Sequence, residues 1–299
     1  MHQSSVGQRR PLQSISDGIG AHEKTYSILA SRWKRDSEVH IRIMGCDWQS
    51  FYIPMIWLKS GGHGAWHYVE EIIGILVNEH GALAAEDGSV LEMSKEAVAG
   101  DYVFKLADTA DTGSFTWRRG PQNAHRAAKV ENSGDEASSV GLSAGTQQRD
   151  FRELIIGRDR SCILSGKLPG NADAAHIVPQ SRRDVYAEIL SKREGRTIPV
   201  DRVDPFDVSQ GILLRRDLHA AYDRYYWSLY YKDDVYYVHV FNSRYMDASF
   251  HGLQIGRNKF HSEARKEELP DPDLCRWHYE QCVMLYLRGF SSGMALSKH

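Results

Sequence analysis

Apolar and polar residues alternate over 39–44 (Val39-His40-Ile41-Arg42-Ile43-Met44), the period of a strand with one buried face. A second apolar run, 51–58, contains Pro54, which confines it to a sheet edge or a bulge. Over 66–77 the period changes: Val69, Ile72, Ile73 and Leu76 fall on one stripe of a helix. Residues 90–93 and 101–106 read as two more short strands. A second patterned stretch begins at 148. There, 148–157 predicts a helix, 162–166 a short strand entering a turn, and 174–178 an apolar run closed by Pro179. Residues 182–193 are helical within a long excursion. Gly211-Ile212-Leu213-Leu214 predicts a strand that passes at once into a helix near Arg216 and Asp217. Residues 227–231 and 235–241 alternate about Lys232-Asp233-Asp234 as a β-hairpin does, and 273–287 predicts a last helix.

This mixture of strands and helices predicts an α+β fold in five parts. Residues 1–24 are rich in Ser, Gly and Gln and read as a flexible terminus. Residues 25–118 form a small mixed module whose order of strand, strand, helix, strand, strand resembles a β-grasp, ubiquitin-like unit. Its expected role is binding, with a protein partner among the candidates, or packing against the rest of the chain. Residues 119–147 show no periodicity and read as a flexible linker. Residues 148–241 carry the second patterned unit, and 242–299 a helical extension packed on it.

Composition narrows the classes. The chain of 299 residues is 41% hydrophobic and 25% charged, an ordinary globular balance. Its net charge is −2, so any surface for an anionic polymer must be local rather than global. Cys46, Cys162, Cys275 and Cys282 include no C-x-x-C pair, which excludes a four-cysteine zinc site. The polar amino terminus lacks a signal core, and no apolar run approaches the length of a membrane span. An intracellular location, nuclear or cytoplasmic, is expected, with no membrane partner.

Three segments carry chemistry: Ala174-Ala175-His176-Ile177-Val178-Pro179, then Ser209-Gln210-Gly211-Ile212-Leu213-Leu214, then Leu218-His219-Ala220-Ala221-Tyr222-Asp223. His176 ends a strand and titrates near neutrality, so it is able to take a proton from water. His219 and Asp223 lie at i and i+4 on the predicted helix, hence on one face. An imidazole nitrogen and a carboxylate oxygen at that spacing form a credible pair of ligands for one divalent cation. Arg182, Arg183, Lys192, Arg193, Arg196, Arg215 and Arg216 flank these segments and are candidates for phosphate contacts. The tyrosine-rich stretch 225–237 offers base-stacking surface, although its alternation is more easily explained by a β-hairpin with one buried face.

The ordered pieces CILSG, AAHIVP, QGILL and LHAAYD resemble the HNH endonuclease family, whose catalytic unit is a ββα-metal fold. The resemblance covers roughly residues 150–240. It implies a nucleic-acid substrate, DNA in the first instance, and one divalent metal ion, Mg²⁺ with Mn²⁺ as an alternative. It also implies that His176 is the general base, that His219 and Asp223 are metal ligands, and that Gln210 stands where the family has an asparagine bracing the loop that holds the base. The chain departs from the pattern in two places. Gln210 has the same donors and acceptors as Asn on a longer arm. Ala175 stands where many members carry a ligand and offers no donor. The alternative reading is an HNH module weakened in catalysis that binds nucleic acid or protein.

Overall fold

A computed structural model describes residues 38–43, 50–62, 64–107 and 137–286. The terminus at 1–24 and most of the linker expected at 119–147 lie outside these residues. Four strands of the amino-terminal module form one mixed sheet: β1 (Glu38–Ile43), β2 (Ser50–Pro54), β3 (Gly81–Ala85) and β4 (Gly100–Leu106). Their order is β2-β1-β4-β3, with the two central strands parallel and both outer pairs antiparallel. Two helices, α1 (Met55–Ser60) and α2 (Trp66–Leu76), lie between β2 and β3 in the chain. The helix stripe read from the sequence is buried, with Val69, Ile72, Ile73 and Leu76 all withdrawn from solvent. This mixed sheet with its helices makes the module α+β.

Two local readings are corrected. The run 51–58 is not one strand: Pro54 ends β2 at the sheet edge, and its extended backbone opens α1. Residues 90–93 form no strand. Gly88, at φ +85, reverses the chain, and Val90 makes a single isolated bridge to Ala84 before the ladder stops. The pairing strand is β3, whose sequence Gly-Ala-Leu-Ala-Ala carries little strand propensity and so escaped the pattern.

The carboxy-terminal part is built around β5 (Ala172–His176), β6 (Gly211–Arg215) and α5 (Arg216–Tyr222), an antiparallel pair followed directly by a helix. In the register of the pair, His176 lies opposite Gly211 and Asp173 opposite Leu214. A long helix, α3 (Ala137–Asp159), packs Phe151 and Ile155 against Ala172, Ala174 and Leu213. The opposite face of the pair buries Ala175, Ile212 and Leu214 with Leu218 and Tyr222 of α5. The insert between the strands contains α4 (Arg183–Glu194). Helix α3 begins eleven residues before the expected 148. Its residues 145–150 are exposed, so no apolar stripe announced the helix there, and 137–147 is helical where the sequence predicted linker. Residues 162–165 are a turn rather than a strand, closed by the Gly166 N–H donating to the Cys162 carbonyl with Gly166 at φ +67.

A meander of β7 (Trp227–Lys232), β8 (Val235–Val240) and β9 (Gln254–Ile255), together with α6 (Pro272–Tyr286), joins the two parts. Tyr225, Tyr230, Phe241, Tyr279, Cys282 and Val283 share one buried cluster with Trp57, Tyr68 and Ile72 of the module. Polar bonds within it are specific. Trp57 Nε1 donates to the Val240 carbonyl at 2.8 Å, and Tyr230 OH donates to Glu71 at 2.7 Å. His239 Nε2 meets the Gly61 carbonyl at 2.9 Å, and His251 Nε2 the Trp57 carbonyl at 2.8 Å. The two parts therefore share a core, and α6 serves both.

Candidate active site

The first predicted site residue, His176, is held by aromatic packing and by backbone. Phe151 of α3 stacks on its ring at 4.5 Å between centroids, and Phe206 meets it edge-on at 5.7 Å. The Pro205 carbonyl accepts a hydrogen bond from the ring. Nε2 is buried with no hydrogen-bond partner. Burial pushes the His176 pKa below the usual histidine value. The Pro205 bond partly opposes that shift, and the charge of His219 adds to it. The ring is therefore neutral at pH 7 with an unpaired nitrogen. A buried ring nitrogen without a partner costs stability unless something outside the chain completes it.

Gln210 is buried and reaches the same loop. Its Nε2 donates to the Asp204 carbonyl at 2.7 Å, one residue before the carbonyl that holds His176, while its Oε1 has no partner. The backbone completes the brace, with Ile177 N–H donating to the Gln210 carbonyl and Gln210 N–H to the Asp207 carbonyl.

His219 and Asp223 are one turn apart, as the i, i+4 spacing requires. His219 Nε2 lies 3.5 Å from Asp223 Oδ2. Partial burial raises the Asp223 pKa, and interactions with His219 and Arg224 pull it back. The pair comes together; His176 does not touch it. Its link to the pair is the electrostatic influence of His219. Two donors 3.5 Å apart are compatible with one cation between them. Among the described residues no group of three or more His, Cys, Asp or Glu is set to hold a metal ion. A cation held by this pair would need its remaining positions filled by water and a phosphate.

An antiparallel pair, a helix following it without a loop, and a histidine at the end of the first strand are now in view. Residues 162–230 match the HNH endonuclease family. The match covers the turn at 162–165, both strands, the insert, α5 and the start of the meander. For this HNH segment it indicates a nuclease or nucleic-acid-binding function. Searches of curated proteins and of solved structures found no match to the chain. No helix among the described residues is long and apolar enough to cross a membrane.

Several residues that shape the HNH segment carried no signal in the sequence. Arg158 and Asp159 form a sealed ion pair at 2.6 Å. Arg158 also donates to the carbonyls of Val208, Glu268 and Gly211, and Asp159 accepts the Leu213 N–H. The pair locks the end of α3 to the loop carrying Gln210. Phe151 and Phe206 are remote in sequence from His176, and only folding identifies them as its neighbours. Asp173 approaches His219 from the strand side, with Oδ2 3.9 Å from Nδ1. The one hint of it was a carboxylate two residues before Ala175, hence on the same face of β5.

Of the candidate basic residues, Arg182 is committed to Asp184 and Arg193 to Asp271 and Asp273. Arg215 is bonded to Asp217, whereas Arg216 is largely exposed beside Asp173. In the tyrosine-rich hairpin Tyr230 and Tyr236 are buried, the half-buried reading of that stretch.

Proposed function

We propose that this protein is a metal-dependent endonuclease that hydrolyses DNA phosphodiester bonds through its HNH segment. The observation that carries the reading is the match of residues 162–230 to the HNH endonuclease family, with His176 at the end of β5 and the His219–Asp223 pair one turn apart on the helix that follows the second strand. In this reading the His176 ring takes the proton from the attacking water. The Pro205 carbonyl interacts with the ring and steadies the imidazolium that forms. Phe151 and Phe206 keep the ring from turning, and Gln210 holds the 204–206 loop in place through Asp204. His219 and Asp223 would hold one divalent cation, Mg²⁺ or Mn²⁺. When bound, the cation polarises the phosphoryl oxygen and neutralises the leaving oxygen. Exposed Arg216, next to the pair, is suited to a substrate phosphate.

Ala175 favours a second reading. With no donor at that position, the segment is an HNH fold that binds nucleic acid without cutting it. Incubation with supercoiled plasmid and Mg²⁺ or Mn²⁺ separates the two. Nicking by the wild type, lost in His176→Ala and in His219→Ala, supports the nuclease. Absence of nicking with every metal, together with retained gel retardation of DNA, supports the binding module.

A further inference from the structure

The imidazole of His219 lies between two carboxylates. Nε2 faces Asp223 at 3.5 Å, and Nδ1 faces Asp173 at 3.9 Å. Asp173 comes from β5, three residues before His176, and its side chain is 42% exposed. It also lies 3.6 Å from the Arg216 guanidinium. We propose that Asp173 is a positioning residue of the metal site: its carboxylate, facing Nδ1 of His219 at 3.9 Å, favours the proton on that nitrogen and leaves the Nε2 lone pair for the cation shared with Asp223. The inference rests on the metal-dependent reading above.

The geometry argues for this division of labour. The two ring nitrogens point in divergent directions, so His219 is able to give only one of them to an ion, and Asp223 marks which. A lone pair on Nε2 beside an ionised Asp223 is repulsive until a cation stands between them. A proton favoured on Nδ1 by Asp173 keeps that arrangement ready. Asp173 also offsets the departure at Ala175. The two residues share a face of β5, and the carboxylate one pleat further back reaches the ring of a ligand where the family pattern has a ligand of its own. Because Asp173 is half-exposed, its removal disturbs little packing.

The test is Mn²⁺ binding to the full chain, read as free Mn²⁺ by electron paramagnetic resonance. Wild type, Asp173→Ala, Asp173→Asn and His219→Ala are compared, with thermal unfolding as the check on folding. The expected result is a 10- to 100-fold weaker Kd in D173A at unchanged Tm. D173N, which keeps an acceptor oxygen without the charge, falls between D173A and wild type. Plasmid nicking by D173A recovers at high Mn²⁺. A D173A affinity within twofold of wild type, with His219→Ala still impaired, overturns the positioning role and leaves the nuclease reading standing. Wild-type binding no tighter than that of His219→Ala overturns both.

Discussion

At the scale of single residues the protein turns on how three side chains are held. His176 is useful only while its ring is neutral. Burial lowers its pKa below the usual 6.5, so the neutral form survives to lower pH than for a free histidine. Cleavage at fixed metal should therefore hold down to a pH below about 6.5 and then fall as pH drops through the lowered value, a limb to be read from the pH profile of kcat/KM. His176→Ala should cut the rate by about 10² to 10⁴-fold with unchanged DNA retardation. Gln210 acts one step removed. Its amide spans 2.7 Å to the Asp204 carbonyl, and the shorter Asn arm falls short of it. Gln210→Asn should lower kcat more than it raises KM, because the loop behind the base loosens while the DNA surface remains. An unchanged kcat in that variant would remove Gln210 from the positioning set.

At the scale of elements the ββα unit depends on a close approach that the sequence records only as a glycine. A Cβ at Gly211 would sit 2.3 Å from Phe151 Cζ and 3.1 Å from the Ala175 carbonyl. Phe151 is also the ring under His176, so Gly211→Ala should damage stability and activity together, where a surface Gly→Ala change would do neither. The Arg158–Asp159 pair fastens α3 to the same place. Breaking a sealed pair strands one charge, so Arg158→Ala should cost about 3–5 kcal/mol in urea unfolding. A loss below about 1 kcal/mol would mean that water takes over the buried partners. Both effects explain why helix α3, outside the three motif segments, is needed to build the site.

At the scale of the whole molecule the module and the HNH segment behave as one body, because their apolar faces are sealed by a common cluster. Trp57 donates to Val240, and a Cβ at Gly252 would collide with the Ser60 carbonyl at 1.9 Å. Unfolding should then be a single transition, coincident by tryptophan fluorescence and far-ultraviolet circular dichroism, and Trp57→Ala should lower it by about 3–5 kcal/mol. Two separated transitions in the wild type would contradict the shared core. Two buried histidines tie this core to pH. Desolvation lowers His251 to about 4 and His278 to about 3, against 6.5 in an open chain. The unfolded chain thus binds protons that the folded one refuses. Stability should be full above about pH 6.5 and fall steadily as pH drops toward 4, by several kcal/mol in all. His278→Gln should flatten that slope.

What the sequence determined by itself was local. The alternation at 39–44 and in the 227–241 hairpin, the stripe on α2 and the strand-to-helix passage at Arg216 follow from side-chain period, which is a property of neighbours in the chain. The i, i+4 spacing likewise brought His219 and Asp223 together before any fold was known. What tertiary structure alone decided was every relation across long separations: Phe151 and Phe206 around His176, the Pro205 carbonyl behind it, Asp173 beside His219, Arg158 in the loop of Gln210, and the core shared with the module. Even the strand β3 belongs here, since Gly and Ala adopt it only because β4 offers a ladder. Such contacts come from burying apolar surface and satisfying backbone groups over the whole chain, and no local period encodes them.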